Sequence, residues 1–305
     1  MKLNLHKVFG TEDYLVICDN PVFLKEIQKY ENAVLLDDFI QNPECENIFV
    51  FIDTWIGFNE VNNLIKKGIV NKVLTIPQVS FEPGEEFLKY SLNLLLHSDF
   101  EHAIEQHLEW QDFLSKNNKF AFGDGEYKLV CELCDNFEVA TLDSTEIDNK
   151  EVRSIAEYFE VCFENSRDEY ENFIVNGTIK CSGILFAKSP DFDLKYEEGE
   201  VAKKHIEITD MVMVFKNNKL ISCKSHGEDI SNILKHNSGE KSFKNAYVTE
   251  FAIGTNMKIL KEMDMSINAQ INEGVQGIHV GIGNGTTGFH MDFLCPDYRL
   301  VSYES

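Results

Sequence analysis

Short apolar runs alternate with amphipathic stretches between Tyr14 and Ile76, and this alternation constrains the fold more than any other feature of the chain. Residues 14–18 (Y-L-V-I-C), 33–36, 48–52 and 72–76 read as buried strands. Between them, residues 21–31 carry Phe23, Ile27 and Tyr30 at helical spacing, and residues 57–70 place Val61, Leu64 and Ile65 on one side. Pro21, just after Asp19 and Asn20, marks a helix start. Strands alternating with helices predict a parallel sheet with flanking helices. No Gly-rich loop follows the first strand, so the pattern points away from dinucleotide and P-loop nucleotide sites.

Residues 84–116 read as one long helical stretch containing His97, His102 and His107. A spacing of five turns each imidazole about 140° from the last, so the three do not share a face and read as surface or groove histidines. The texture changes near residue 120. Residues 126–133 and 138–142 read as strands, 150–164 as an amphipathic helix, and 177–188, 201–208, 211–215 and 220–224 as further strands. Asn217 and Asn218 suit a hairpin turn, because Asn tolerates φ > 0. The acidic stretch 191–200 reads as a loop. The expected organisation is an α/β N-terminal domain over 1–120 and an α+β, β-rich C-terminal domain over 121–305.

The chain has 305 residues, 43% of them hydrophobic, enough for a sizeable core and two domains. Acidic residues outnumber basic ones 51 to 28, giving a formal charge of −23. Such a field repels phosphate backbones and anionic lipid, so no nucleic-acid or membrane partner is expected. It favours a peptide carrying a free amine or Lys and Arg side chains. There is no signal-peptide pattern and no membrane-length apolar run, and the eight scattered cysteines fit free thiols. A cytoplasmic protein is expected. Cys131 and Cys134 form a lone C-x-x-C without companion ligands and read as ordinary strand-end cysteines. His226 and His236, beside Glu228 and Asp229, read as exposed loop residues.

The chemistry concentrates near the C-terminus. Y-V-T-E-F-A-I-G-T-N begins at Tyr247, I-N-E-G-V-Q-G-I-H-V-G-I-G-N-G at Ile271, and G-F-H-M-D-F at Gly288. Glu250, Glu273, His279, His290 and Asp292 thus lie in glycine-studded, strand-like segments. Carboxylates and imidazoles are the ligands that Zn²⁺, Mn²⁺, Co²⁺ and Fe²⁺ accept, and charge on apolar strands calls for a partner. His290 and Asp292 are two apart and point the same way on a strand, a chelating pair. The glycines at 281, 283, 285 and 288 precede no helix, so they read as close backbone approach at a cleft rather than a phosphate loop.

These three segments resemble the aminopeptidase T family of two-domain, dimeric, cytosolic metallopeptidases. The resemblance implies Glu250, His279, His290 and Asp292 as metal ligands and Glu273 as general base for a metal-bound water. Two positions depart from the family pattern. Ile184, in C-S-G-I-L-F-A-K, stands where the family has a metal-bridging Glu, and Thr286 stands where it has a catalytic Tyr. Without the bridging anion, at most one divalent ion (Zn²⁺, Co²⁺, Mn²⁺ or Fe²⁺) is expected. The loss of one oxyanion donor typically costs about 10²–10³ in rate. The leading expectation is an aminopeptidase-like, homodimeric metalloprotein that binds a peptide or aminoacyl ligand, with weak or altered hydrolysis. One alternative is a metal-free, peptide-binding pseudo-enzyme serving as an accessory protein in modified-peptide natural-product biosynthesis. The other is a non-haem Fe(II) dioxygenase with a 2-His-1-carboxylate site.

Overall fold

The computed structural model describes residues 2–139, 152–165, 172–188, 211–232, 247–283 and 290–304. The parallel sheet is built from β1 (Leu15–Cys18), β2 (Ala33–Leu35), β3 (Asn47–Phe51), β4 (Lys72–Ile76) and β7 (Val152–Ser154). Its order is β2-β1-β3-β4-β7, and every pairing is parallel. Strand alternation splits its apolar side chains between two cores, as burial on both faces requires. Ile17, Ile48, Val50 and Val73 pack on one side with Phe39 of α3 (Leu36–Gln41) and Val61 and Leu64 of α4 (Trp55–Lys66). Val16, Phe49, Phe51 and Leu74 pack on the other with Phe23 and Ile27 of α2 (Pro21–Ile27).

At the carboxyl ends of β1 and β3, where ligands bind in many open α/β sheets, Asp19 holds the loops together. Its carboxylate accepts hydrogen bonds from the Asp53 amide at 2.7 Å, the Thr54 amide at 2.9 Å and the Thr54 hydroxyl at 2.7 Å. A Cβ at Gly57 would lie 2.2 Å from the same carboxylate, so glycine is required there.

The stretch 84–116 is two helices rather than one. α5 (Glu85–His97) stops at Ser98, whose backbone is extended, and Asp99 caps α6 (Phe100–Leu114) by accepting from the His102 amide at 3.1 Å. Ser and Asp compete with helical hydrogen bonding and favour such breaks. His107 is also corrected: it is buried, with its ring against Tyr158.

Two antiparallel sheets follow. The larger has the order β13-β12-β11-β9-β6-β5-β17. Its strands are β5 (Lys119–Gly123), β6 (Lys128–Leu133), β9 (Phe173–Cys181), β11 (Met211–Lys216), β12 (Lys219–Ser225), β13 (Glu228–Asp229) and β17 (Arg299–Glu304). The smaller runs β10-β16-β15-β14-β8. It contains β8 (Glu160–Glu164), β10 (Gly183–Ala187), β14 (Val248–Gly254), β15 (Gly277–Gly283) and β16 (His290–Cys295). The apolar run 177–188 divides at Ser182, where the chain passes from β9 in one sheet to β10 in the other. Their facing sides enclose one core, with Phe251 against Phe120, Phe122, Phe163 and Phe173. The protein is a mixed α/β chain.

One expectation fails in an instructive place. Residues 150–164 do not form a helix: within the described part, β7 adds to the parallel sheet, Ala156–Phe159 makes one 3₁₀ turn, and β8 joins the smaller antiparallel sheet. The alternation E-V-C-F-E in β8 is a strand period, and pairing with β14 realises it. The expected strand at 201–208 and the loop at 191–200 lie outside the described residues.

Candidate functional site

The smaller antiparallel sheet has one apolar and one polar face, and register assigns each side chain. Directly opposed residues share a face. Phe251 opposes Phe163 and Val280, and Val280 opposes Phe293; these side chains face the inter-sheet core. One residue along, Glu164, Glu250, Gly281 and Asp292 oppose one another in a row across four strands. Cys162, Ala252 and His279 form the adjacent row, then Glu160 and Gly254, while Gly283 and His290 lie on the other side. The polar face therefore gathers Glu250, His279, His290 and Asp292 from three strands. It also gathers Glu160, Cys162 and Glu164 from β8, where a helix would have turned Cys162 away from the two glutamates.

Gly281 lies at the centre. A Cβ there would sit 2.7 Å from Glu250 Cβ, 2.8 Å from Asp292 Oδ1 and 2.8 Å from His290 Cε1. Only glycine lets these three groups converge. Glu250 is the hub: its Oε1 lies 3.0 Å from His279 Nε2 and its Oε2 lies 2.9 Å from His290 Nε2. His290 Nε2 is also 2.8 Å from Asp292 Oδ1, and His279 Nε2 is 3.5 Å from Glu160 Oε2.

Glu273 follows a single 3₁₀ turn, Gln270–Asn272, and is 7% exposed. The Asn272 side chain fixes that turn by accepting from the Tyr90 hydroxyl of α5 at 2.8 Å. Gly254 and Gly274 let the following backbone pass close, since a Cβ would meet Val275 O at 1.8 Å and Phe159 Cβ at 2.5 Å respectively. Of the sequence-predicted five, Glu250, His279, His290 and Asp292 meet directly, and Glu273 lies near enough to feel the charges of Asp292, Glu160 and Glu250.

The electrostatics follow from burial and the excess of acid. Burial lifts the Glu160 carboxyl well above its ordinary range, with His279 opposing and Glu250 adding to the rise. Burial does the same for Glu273, reinforced by Asp292, Glu160 and Glu250. Burial also opposes charge on Glu250, but His290 and His279 outweigh it and hold that carboxyl well below normal. His279 is pushed up to about 9: burial acts against the charged ring, and Glu250, Glu160 and Asp292 prevail.

The tautomer of His290 is decided by its backbone contact. Its Nδ1 lies 3.2 Å from the Gly283 carbonyl, which can only accept, so Nδ1 donates. Nε2 then faces two carboxylate oxygens and needs a cation there, a proton or a metal ion, because a bare lone pair would repel them. Asp292 is 1% exposed, and its Oδ2 has no hydrogen-bond partner among the described residues. Oxygen and nitrogen donors with an unfilled buried carboxylate fit a divalent ion. Three donor sets lie with their atoms within 4.8 Å: Glu160–Glu250–His279, Cys162–Glu164–Glu250, and Glu250–His290–Asp292. The two imidazoles fall into separate sets, each with two carboxylates.

Several sequence expectations fall elsewhere. Ile184 is buried in the inter-sheet core, and its neighbour Leu185, opposite Asp292, occupies the polar-face position. Neither is a carboxylate. Thr286, Gly285, Gly288 and His236 lie outside the described residues. Cys131 is buried and Cys134 half-buried, both as free thiols. His226 lies at a turn with φ 48° and is exposed. No helix among the described residues is long and apolar enough to cross a membrane.

Fold and site together define a mixed α/β protein with a buried carboxylate–imidazole cluster on the polar face of an antiparallel sheet. The family model described as "Crocagin biosynthetic protein CgnE/B" matches residues 12–302, and the chain belongs to that family. This overturns the membership in the aminopeptidase T family that the C-terminal segments suggested. Those segments are short strands parted by glycines, and a sheet that brings polar side chains together around a glycine produces such a pattern without common membership. Among solved structures, wild-type AmpT from Thermus thermophilus matches with a TM-score of 0.47 and 10% identity, over 96% of this chain and 90% of that one. Likeness at that level carries no argument about activity. No curated protein matches.

Proposed function

We propose that this chain is a peptide-binding accessory protein in the biosynthesis of a modified-peptide natural product, the class to which crocagin belongs. The observation that carries the reading is the polar face within a chain of this family. Acidic groups predominate there, and the cluster opens at Glu250 and His290, whose side chains are 14% and 18% exposed, with Glu164 on the exposed rim. Such a face takes a peptide's ammonium or guanidinium group through charge-assisted hydrogen bonds. Glu250, with its carboxyl held in the charged form, is the anchor, and Glu273, deeper and shifted toward the neutral acid, lines the floor.

The same donors suit one divalent ion at Glu250, His290 and Asp292, with His279 adjoining. Such an ion would polarise a bound carbonyl when present. The reading assigns the cluster to binding and orientation rather than to efficient hydrolysis, since neither Ile184 nor Leu185 supplies a further carboxylate to it.

Calorimetric titration with the peptide from which crocagin is made tests this, with mass spectrometry of the products. Binding without release of amino acids is expected. Glu250→Gln, which removes one charged hydrogen-bond partner at a cost of about 1.5–3 kcal/mol, should weaken binding roughly 10- to 100-fold. Equal affinity of wild type and variant, or steady release of N-terminal residues, would refute the reading.

A further inference from the structure

Of the four outer strands of the two antiparallel sheets, three are covered or very short. At β10, the Asn268 side chain accepts from the Phe186 amide at 3.1 Å and donates to the Phe186 carbonyl at 3.0 Å, as a neighbouring strand would. β8 lies against α6, and β13 is two residues long. β17 differs: it is six residues long, ends the larger sheet and pairs only with β5 among the described residues. Its Val301 and Tyr303 are 53% and 60% exposed. An edge of this kind is a template for another chain.

We propose that the outer edge of β17 is a second docking surface, which takes an extended, cationic segment of the bound peptide as an added strand. The proposal rests on the peptide-binding reading above and adds a place for the peptide's backbone, on the other sheet from the carboxylate–imidazole cluster.

Backbone direction supports it. The Leu133 amide donates to the Asn118 carbonyl at 2.7 Å, and the Asp124 amide to the Tyr127 carbonyl at 3.3 Å. Alternation along β5 then sends the backbone groups of Lys119, Ala121 and Gly123 toward β17, where they meet Glu304, Ser302 and Arg299. Tyr303 lies between Ser302 and Glu304, so its N–H and C=O point outward.

The side chains agree. Leu300 and Tyr303 oppose Phe122 and Phe120 and share their face of the sheet. The Phe113 ring of α6 stands 5.4 Å from that of Tyr303, and Trp110 stands 5.3 Å from Phe113. Trp110, Phe113 and Leu300 are only partly buried, so they make an apolar wall beside the edge. Alternate side chains of an added strand fall on that face and rest against it.

Charge and register favour a peptide over a second copy. Two chains of charge −23 repel each other, whereas a cationic segment is attracted. Arg299 is the cation of β17 that would face Glu304 of an antiparallel second copy. It already donates to the Pro296 and Tyr298 carbonyls at 2.6 and 2.8 Å. The register shift between Leu300 and Ser302 would meet itself in a symmetric pair, while a free peptide can follow it.

The test uses the full chain and the peptide from which crocagin is made. Affinity is read by calorimetry and amide protection by hydrogen–deuterium exchange. Added peptide is expected to slow exchange across residues 299–304. Tyr303→Pro removes an outward N–H, a change that an edge strand tolerates. It is expected to weaken binding about 10-fold with unchanged circular dichroism. Tyr303→Ala keeps the N–H and loses the ring; it should weaken binding several-fold, and it decides the matter if the proline variant does not fold. No protection of residues 299–304, or wild-type affinity in the variants, overturns the proposal. If Glu250→Gln still weakens binding in that case, the reading of the cluster stands. No binding by the wild type overturns both. A dimer in sedimentation that Tyr303→Pro dissociates assigns the edge to a second copy and also overturns the proposal.

Discussion

At the residue scale, Gly281 governs the site. In the sequence it belongs with Gly283, Gly285 and Gly288 to a glycine cluster that reads as close backbone approach at a cleft, without saying which groups approach. Its role follows from what surrounds it: Glu250, His290 and Asp292 all approach the space a Cβ would fill. Gly281→Ala is expected to keep the fold, because the backbone there is not in the positive-φ region that favours glycine, yet to push these groups apart. Overpacking of this kind costs about 1–3 kcal/mol. A lower thermal midpoint together with loss of zinc uptake is the predicted outcome; an alanine variant that melts and binds like wild type would contradict it. The candidate residues themselves were legible because charge on apolar strands is conspicuous. Glu160 was not, because a carboxylate three residues from another in an assumed helix looks like an ordinary solvated face.

At the element scale, β8 and the hairpin of β11 and β12 make opposite points. The hairpin turn was readable from Asn217 and Asn218, and both adopt positive φ, 49° and 61°. The structure adds a second task for Asn218: its side chain accepts from the Val175 amide at 2.5 Å and donates to the Phe173 carbonyl at 2.9 Å. It is fully buried, so these bonds tie the turn to β9. Asn218→Gly retains the backbone freedom but strands the Val175 amide, while the Phe173 carbonyl keeps the Asn165 side-chain amide as donor at 2.9 Å; the cost is about 1–3 kcal/mol for one buried unsatisfied partner. A destabilisation of that order in a denaturant titration is expected, whereas a neutral result would mean that only the turn conformation matters. β8 was misread because residues 150–164 contain apolar positions compatible with either period, and the choice was made by pairing to β14, far away in sequence.

At the scale of the whole molecule, the formal charge of −23 sets the terms of encounter. A strongly acidic protein accelerates association with cationic partners, and salt screens that attraction over about 10 Å at 0.1 M. The association rate of a Lys-bearing peptide should fall several-fold between low and high ionic strength in stopped-flow measurements, while that of an uncharged peptide of equal length stays nearly constant. Matching salt responses for the two would remove steering from the account. The parallel sheet and the pair of antiparallel sheets were foreseeable in class, since period-two and period-3.6 patterns report local burial. That β7, beyond residue 120, returns to complete the parallel sheet was not.

The sequence by itself determined where most strands and helices lie, which faces are apolar, the acidic field and the five candidate residues at the C-terminus. These are local or additive properties, carried by periodicity and composition. Only the tertiary structure decided that Glu160 joins Glu250 and His279, that Ile184 turns into the core, and that Gly281 is the space around which the site closes. Those facts depend on register between strands distant in the chain. Register is set by packing the apolar face as a whole, and no segment carries it alone.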